Sequence, residues 1–202
     1  MTASIVLFDL GHVVLDWDPA RLYAKIFEDP QERETFLTDI CNMTWHTHHD
    51  AGASFADNAA GLIAEYPQYE DQIFAWGRRW MEMFDGYVEG TAELVERLQV
   101  RNVPLYALSN MPADPWDEML QEFDLLNRFR HVVVSGRLGM VKPDPEIYRH
   151  ALNVMDNPDP SDVFFIDDSL RNIEAARALG FRTHHFEGAQ GLEEALKAES
   201  LL

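Results

Sequence analysis

Five short apolar runs, separated by segments with helical spacing, constrain the fold of this 202-residue chain more than any other feature. The runs cover residues 4–8 (SIVLF), 104–108 (PLYAL), 131–135 (HVVVS), 163–166 (VFFI) and 183–186 (THHF). The first, third and fourth lack strict alternation of polar and apolar residues, which is typical of parallel strands covered on both faces. Strands that alternate with helices predict an α/β fold with a three-layer, Rossmann-like core around an open parallel sheet.

Residues 17–85 break this alternation, because no strand stands out there and Trp, Phe, Met and Ala recur at helical spacing. In the segment DQIFAWGRRWMEMF, one helical stripe carries Ile73, Trp76, Gly77 and Trp80. The sequence therefore predicts a small α-helical cap over residues 17–85, inserted into a core made of residues 1–16 and 86–202.

The charge balance narrows the class of partner. Its 16 Lys and Arg residues against 35 Asp and Glu residues give the chain a formal net charge of −19. A surface this acidic repels nucleic acid and anionic membranes, so we expect neither as a partner. An anionic small molecule can still bind where a cation or a local basic group receives it.

Location and assembly are less constrained. No apolar run approaches the roughly 20 residues that span a bilayer, and the start MTASIVLFDLG lacks the pattern of a signal peptide. The single cysteine, Cys41, rules out an internal disulfide. These features predict a cytoplasmic protein, and the sequence leaves open whether it is a monomer or a homodimer.

Polar residues follow four of the five predicted strands, at the edge of the sheet where ligands of such folds bind. They are Asp9 after the first strand, Ser109 and Asn110 after the second, Lys142 beyond the third, and Asp167, Asp168 and Asn172 after the fourth. Carboxylates that converge on one edge raise one another's pKa unless a cation is present. Mg²⁺ suits such a site, because it binds carboxylate and carbonyl oxygens together with water and phosphate oxygens.

This set of residues predicts phosphoryl transfer to a carboxylate. Asp9 would attack phosphorus and form an aspartyl phosphate that water then hydrolyses. Ser109 would donate a hydrogen bond to the phosphoryl oxygens, and Lys142 would supply a fixed positive charge. Mg²⁺ would shield the nucleophile from the anionic phosphate.

Four segments of the chain resemble, in order, the motifs of the haloacid dehalogenase-like hydrolases: FDLGHVV, ALSN, GMVKPDPEIY and FFIDDSLRNIEAARALG. The resemblance spans nearly the whole chain and is most specific in the last two motifs. It implies the same nucleophile, Asp9, with Ser109 and Lys142 at the phosphate. It also implies that Asp168 binds Mg²⁺ and that Asp167 is an auxiliary ligand.

Within that family, the chain is most similar to sugar-phosphate phosphatases and to the phosphatase domain of epoxide hydrolases. The resemblance therefore implies a Mg²⁺-dependent phosphatase acting on a small phosphorylated metabolite of the sugar-phosphate class. The insertion resembles the family's helical cap, in which we expect Trp17, Trp45 and His46 to contact substrate. Asn110 is expected at the phosphate or substrate, and Asn172 is expected to order the last motif by hydrogen bonding.

The chain departs from the family pattern at Gly11, where related phosphatases carry a second Asp that acts as general acid. The main-chain carbonyl of Gly11 can still bind Mg²⁺, but a glycine donates no proton from a side chain. Loss of a general acid costs about 10²- to 10⁴-fold in rate. The neighbouring His12 is the nearest substitute, since histidine titrates near neutrality. A leaving group that needs little protonation, such as an anomeric or acyl phosphate, would also explain the glycine.

Two alternative functions remain open from the sequence. In a 2-haloacid dehalogenase, Asp9 would displace halide without a metal, but such an enzyme has no evident use for the Asp167–Asp168 pair. A non-catalytic protein could retain the site to bind phosphate or a protein partner. That alternative conflicts with the presence of all four residues expected at the site, namely Asp9, Ser109, Lys142 and Asp168.

Overall fold

A computed structural model of the chain describes residues 2–202 and contains one central parallel sheet. Its strands are β1 (Ile5–Phe8), β4 (Leu105–Ser109), β5 (His131–Val134), β6 (Val163–Asp167) and β7 (Arg182–His185), and a separate ribbon contains β2 (Leu15–Trp17) and β3 (Phe84–Tyr87). The order across the sheet is β5-β4-β1-β6-β7, and every pairing in it is parallel. All five predicted strands are therefore confirmed.

Helices cover both faces of this sheet. They are α6 (Thr91–Val100), α7 (Trp116–Glu122), α8 (Pro145–Val154), α9 (Leu170–Ala178) and α10 (Ala189–Ala198). Alternate residues of β1 face opposite sides, as the period of a strand requires: Val6 and Phe8 pack with α6, α7 and α10, whereas Leu7 packs with α8 and α9. The predicted three-layer α/β fold is confirmed. None of the helices within residues 2–202 is long and apolar enough to cross a bilayer.

Local capping explains where α8 begins. The Asp144 side chain accepts a hydrogen bond from the Glu146 main-chain N–H at 2.9 Å, and Pro145 occupies the first turn, where no N–H partner is needed. The Asp144 N-cap comes two residues after Lys142, so the start of α8 fixes the end of the segment that carries Lys142.

The segment between β2 and β3 is helical. It contains α1 (Pro19–Tyr23), α2 (Pro30–Thr35), α3 (Met43–Asp50), α4 (Phe55–Glu65) and α5 (Glu70–Arg78), with a π-helical turn at Phe36–Ile40. Its interior is aromatic: Trp76 is buried against Tyr23, Trp45 and His46 at ring-centroid distances of 5.9, 5.3 and 5.3 Å. We refer to the helices between β2 and β3 as the cap.

A two-stranded antiparallel ribbon joins the cap to the core, and the sequence did not predict it. Leu15 pairs with Tyr87 and Trp17 pairs with Phe84. The strands have only three and four residues, too few to show an alternating pattern. The boundaries predicted at residues 17 and 85 fall inside this ribbon, so the chain leaves and rejoins the core through adjacent, hydrogen-bonded strands.

Candidate active site

The order of the strands places Asp9 at the centre of the sheet edge. Because β1 lies between β4 and β6, the residue after β1 has the last residues of both neighbours beside it. These last residues are Ser109 of β4 and Asp167 of β6. The main-chain N–H of Asp9 still donates to the carbonyl of Ile166 at 2.8 Å, which holds the residue in line with the sheet.

The two oxygens of the buried Asp9 carboxylate differ in the hydrogen bonds and ion pairs that they make with the described residues. Oδ1 accepts from the main-chain N–H of Leu10 at 2.6 Å and lies 2.9 Å from Nζ of Lys142. Oδ2 accepts no hydrogen bond from the described residues. Burial raises the pKa of the Asp9 carboxyl to about 7, with Lys142 opposing the shift and Asp167 adding to it. This arrangement fixes the carboxylate while leaving Oδ2 available for attack on an electrophile.

Lys142 is the buried cation of the site. Its Nζ lies 2.7 Å from Oδ2 of Asp167, in addition to its contact with Asp9. Burial acts to lower the pKa of the Lys142 ammonium, but the two carboxylates outweigh burial and raise it. Lys142 therefore stays charged, and its two carboxylate partners hold its side chain in place.

Asn110 holds the main chain of Lys142. Its Oδ1 accepts from the Lys142 N–H at 2.7 Å, and its Nδ2 donates to the Lys142 carbonyl at 3.0 Å. Asn110 lines the same cavity as Asp9, but both ends of its side-chain amide are used in this pair. Its visible role is to position Lys142, and its predicted contact with phosphate or substrate stays a prediction.

The Asp167 carboxylate organises the loop after β6. Its oxygens accept from Nδ2 of Asn172 at 3.0 and 3.1 Å, and Oδ1 also accepts from the Ser169 N–H at 2.8 Å. Together with Lys142, these donors occupy both oxygens of Asp167. The hydrogen bonds of Asn172 are of the kind expected for a residue that orders this loop.

Asp9, Asp167 and Asp168 form a group suited to a metal ion, since each offers a carboxylate oxygen within 4.8 Å of the others. Burial raises the pKa of Asp168, the charge of Asp167 adds to the shift, and His12 opposes it. One ammonium does not balance three carboxylates, so the excess negative charge fits a divalent cation with oxygen ligands. Both oxygens of Asp167 already accept hydrogen bonds, whereas Asp9, Asp168 and Gly11 line the cavity and could offer oxygen ligands to the ion.

The cavity above this edge has a volume of about 260 Å³. Core residues form its polar floor, whereas much of its wall is apolar and comes from the ribbon, the cap and the loop after β4. The apolar lining residues are Leu15, Trp17, Met43, Trp80, Phe84, Met111 and Pro112. A substrate here would place a charged group on the floor and an apolar surface against the wall.

Of the predicted site residues His12, Trp17, Trp45 and His46, three reach this cavity and one does not. His12, Trp17 and His46 line the cavity, with Trp17 stacked on His46 at 5.3 Å between ring centroids. Trp45 packs instead against Trp76 inside the cap, and its Nε1 donates to the carbonyl of Asn58 at 3.3 Å. The structure therefore does not bring Trp45 to the site.

Asp50 lines the cavity and was missed from the sequence. It is the last residue of α3 and lies one turn after His46. A carboxylate at a helix C-terminus faces the negative end of the helix dipole, so the position is unfavourable unless the acid is neutral or has a function. That mismatch is the signal that could have identified Asp50.

Comparison with known proteins assigns a family. A model of the haloacid dehalogenase-like hydrolases matches residues 4–180. The N-acetylmuramic acid 6-phosphate phosphatase of Pseudomonas aeruginosa is 30% identical, over 91% of this chain and 81% of that protein. The sesquiterpene phosphatase astK of Aspergillus oryzae is 29% identical, over 89% of this chain and 87% of that protein.

The length of the match differs among relatives. The drimenol cyclase drtB of Aspergillus calidoustus is 27% identical over 91% of this chain, but the chain spans only 34% of that protein. Among solved structures, a family enzyme from Bacteroides thetaiotaomicron in complex with magnesium and inorganic phosphate superimposes with a TM-score of 0.70. It is 24% identical and covers 92% of this chain and 95% of its own, which shows a common fold.

Proposed function

The chain belongs to the haloacid dehalogenase-like hydrolases, and on that premise we propose that it is a Mg²⁺-dependent phosphatase acting through an aspartyl-phosphate intermediate. The observation that carries this proposal is the state of Asp9. Its Oδ1 is fixed by Leu10 and Lys142, while Oδ2 accepts no hydrogen bond from the described residues. A nucleophile needs this combination of a fixed position and a free lone pair.

Ser109 and Lys142 would bind the phosphoryl group and neutralise its charge. Ser109 is buried at the end of β4 beside Asp9, where its hydroxyl can donate to a phosphoryl oxygen. Lys142 lies against Oδ1 of Asp9 and supplies positive charge where the negative charge of the phosphoryl group develops. Asn110 and Asp167 hold Lys142 in that position.

The carboxylates of Asp9 and Asp168, with the carbonyl of Gly11, would hold Mg²⁺, and Asp167 would lie behind them. When bound, the ion would neutralise charge on the phosphate and let an anionic nucleophile approach an anionic substrate. The magnesium and phosphate complex of the Bacteroides thetaiotaomicron family enzyme supports this assignment.

We propose a small phosphorylated metabolite as substrate, with sugar phosphates as the first class to test. The cavity volume of about 260 Å³ suits a small molecule. The N-acetylmuramic acid 6-phosphate phosphatase supports a sugar, and the sesquiterpene phosphatase supports an apolar alcohol. The apolar part of the cavity wall, which includes Trp17 and Trp80, can contact either a sugar or an apolar chain, so both classes of substrate belong in the test.

Phosphate release tests the proposed function directly. Glucose 1-phosphate, glucose 6-phosphate, acetyl phosphate, farnesyl phosphate and 4-nitrophenyl phosphate would be assayed with Mg²⁺ and with EDTA. We expect turnover that requires Mg²⁺ and is abolished by Asp9→Asn. Asp156→Asn is the matched control, because Asp156 is exposed and does not line the cavity.

The alternatives make different predictions in the same experiment. Phosphate release that is unchanged by EDTA would contradict the assignment of the metal. No phosphate release from any ester, with halide release from a 2-haloacid, would favour the dehalogenase. Activity on neither class of compound, with retained phosphate binding, would favour a non-catalytic protein.

A further inference from the structure

Phosphoryl transfer from an alkyl ester requires a proton donor, because an alkoxide is too basic to leave unprotonated. The charged groups closest to Asp9 do not provide one. Lys142 and Asp167 are engaged with each other at 2.7 Å, and Asp168 belongs to the proposed metal site. Gly11 has no side chain, and a Cβ built on it would meet no atom within 4 Å, so the space beside Asp9 is open.

Asp50 is an acid of the cap that lines this cavity and belongs neither to the proposed nucleophile nor to the proposed metal site. It lines the cavity with Asp9, Ser109 and Lys142, and only 5% of its surface is exposed. Its Oδ1 has no hydrogen-bond partner among residues 2–202 and lies 3.5 Å from Nε2 of His46. A buried carboxyl without a partner is costly to the fold, which calls for an explanation beyond packing.

The main chain of Asp50 is tied to the phosphate-binding edge of the core. The hydroxyl of the fully buried Ser135 donates to the Asp50 carbonyl at 2.7 Å and accepts from the Met111 N–H at 2.9 Å. Met111 lies two residues after Ser109 along the same chain segment. Ser135 therefore connects the end of α3 to the loop after β4 and fixes Asp50 relative to the site.

The surroundings of Asp50 favour its protonated form. Burial raises the pKa of its carboxyl to about 7, and the charge of Lys142 limits the shift. Burial, with a further contribution from His49, lowers the pKa of His46 to about 3, so His46 is neutral. The neutral His46 and the charged Lys142 are the titratable groups that face Asp50 among the described residues, and with a pKa of about 7 its carboxyl can both donate and accept a proton near neutral pH.

We propose that Asp50, a residue of the cap, is the general acid and base of this phosphatase. The inference rests on the proposed function. As Oδ2 of Asp9 bonds to phosphorus, the bond from phosphorus to the leaving oxygen breaks, and Asp50 transfers its proton to that oxygen to give a neutral alcohol. Water then attacks the phosphorus of the aspartyl phosphate and gives a proton to the Asp50 carboxylate. The P–O bond to Asp9 breaks, and inorganic phosphate leaves.

His12 is the competing proton donor. It lines the same cavity, but its side chain is exposed and its main chain has a left-handed φ of 56°. The two candidates lie on different sides of the site, His12 after β1 and Asp50 at the end of α3. Substitution of each residue therefore separates the two assignments.

The test compares two esters with six-membered rings whose leaving groups differ in basicity: cyclohexyl phosphate and 4-nitrophenyl phosphate. For Asp50→Asn with Mg²⁺, we expect kcat/KM on the cyclohexyl ester to fall by about 10²- to 10⁴-fold. On the nitrophenyl ester, whose leaving group needs no proton, we expect a fall below about tenfold. His12→Gln should leave the ratio between the two esters close to that of the wild type.

Rescue adds a readout that a purely structural role would not give. Asp50→Glu keeps the carboxyl group and should retain at least about ten times the cyclohexyl activity of the Asn variant. In the Asp50→Asn background, Gly11→Asp places an acid in the open space beside Asp9 and should restore part of the same activity. If the Asn variant does not fold, Asp50→Ser replaces it in the same comparison.

Two results would overturn the assignment of Asp50. Equal losses on both esters would show that Asp50 only supports the fold, and a selective loss in His12→Gln would assign the proton to His12. Failure of the proposed function is distinct from both results. In that case the wild-type chain would release phosphate from neither ester.

Discussion

Lys142 and Asp167 form a fully buried ion pair, with Nζ and Oδ2 separated by 2.7 Å. The same ammonium lies 2.9 Å from Asp9, so one cation serves two carboxylates that water does not reach freely. Removal of one partner from a buried pair leaves an uncompensated charge, which costs more than the pair contributes.

Lys142→Met should therefore lower the free energy of unfolding by about 3–5 kcal/mol. Urea unfolding in the absence of Mg²⁺ measures this loss. The control is Lys25→Met, which breaks the exposed pair between Lys25 and Glu82 at 2.9 Å and should cost below about 1 kcal/mol. Similar losses in both variants would mean that Lys142 is not the buried counter-ion.

Mg²⁺ should stabilise the folded chain through Asp168. An ion that binds only the folded state adds about 2.7 kcal/mol at a concentration of 100 times its Kd. We expect Mg²⁺ to raise the Tm of the wild type and to have little effect on Asp168→Asn. Without Mg²⁺ the variant should be at least as stable as the wild type, because burial and the charge of Asp167 disfavour ionised Asp168 and raise its pKa. A Mg²⁺-dependent shift of equal size in both proteins would place the ion elsewhere.

The hydroxyl of Ser135 should contribute more to stability than an exposed serine hydroxyl. Ser135→Ala leaves the Asp50 carbonyl and the Met111 N–H without this partner in a buried site. Each unpaired buried group costs about 1–3 kcal/mol, so we expect a loss of at least about 2 kcal/mol in urea unfolding. Ser161→Ala, which removes an exposed hydrogen bond to Asp159, is the control and should cost below about 0.5 kcal/mol.

The carboxyl of Asp50 should give a specific pH dependence of stability. Burial raises its pKa from 3.8 to about 7, so the folded chain holds this proton more tightly than the unfolded chain does. The resulting stabilisation is complete below pH 3.8 and is lost as the pH rises through about 7.

Asp50→Asn abolishes this pH-dependent stabilisation, so comparison with the wild type measures the contribution of the Asp50 carboxyl alone. We expect the difference in unfolding free energy, wild type minus variant, to fall by roughly 1 kcal/mol per pH unit across that window. Parallel urea titrations at several pH values between 4 and 7 give this difference. A constant difference would show that the folded chain does not raise the pKa of Asp50.

Two glycines of the cap helices should respond in opposite directions to alanine. Gly61 in α4 has open space around it, whereas a Cβ on Gly77 in α5 would come 2.8 Å from the side chain of Phe55. Gly61→Ala should stabilise the protein by up to about 1 kcal/mol, through helix propensity. Gly77→Ala should destabilise it by about 1 kcal/mol or more, because Phe55 is packed against His49 and Trp80. Thermal unfolding of the two variants measures the contrast.

The sheet could be predicted from sequence because its three central strands, β1, β4 and β6, are mostly buried runs with few competing interpretations. The grouping of Asp9 and Ser109 could be predicted as well, since topology brings the ends of parallel strands to one edge, whereas Lys142 reaches that edge on the segment between β5 and α8. The ribbon of β2 and β3 could not, because its stability comes from pairing between residues about 70 positions apart. Local pattern contains no information on such a pairing.

The sequence also did not predict which groups in the site are hydrogen-bonded to each other or which way the side chains of α3 point. Asn110 was expected at the phosphate or substrate, and the sequence did not predict that its amide is also hydrogen-bonded at both ends to the main chain of Lys142. Trp45 and His46 are neighbours in sequence, yet the rotation of 100° per residue in a helix sends Trp45 into the cap and His46 to the cavity. The phase of a short aromatic helix depends on what packs around it, and this cap is aromatic on several sides.

The β2–β3 ribbon has a consequence for how such a chain diversifies. Because the two crossings between core and cap are adjacent, replacement of the segment between β2 and β3 would leave the order of the sheet unchanged. The proposed nucleophile and the proposed metal-binding carboxylates belong to the core and would stay with it in such an exchange, whereas Asp50 would leave with the cap. A different cap would supply a different part of the cavity wall and, on this proposal, a different proton donor. The substrate range and the ability to cleave esters with poor leaving groups would then change together.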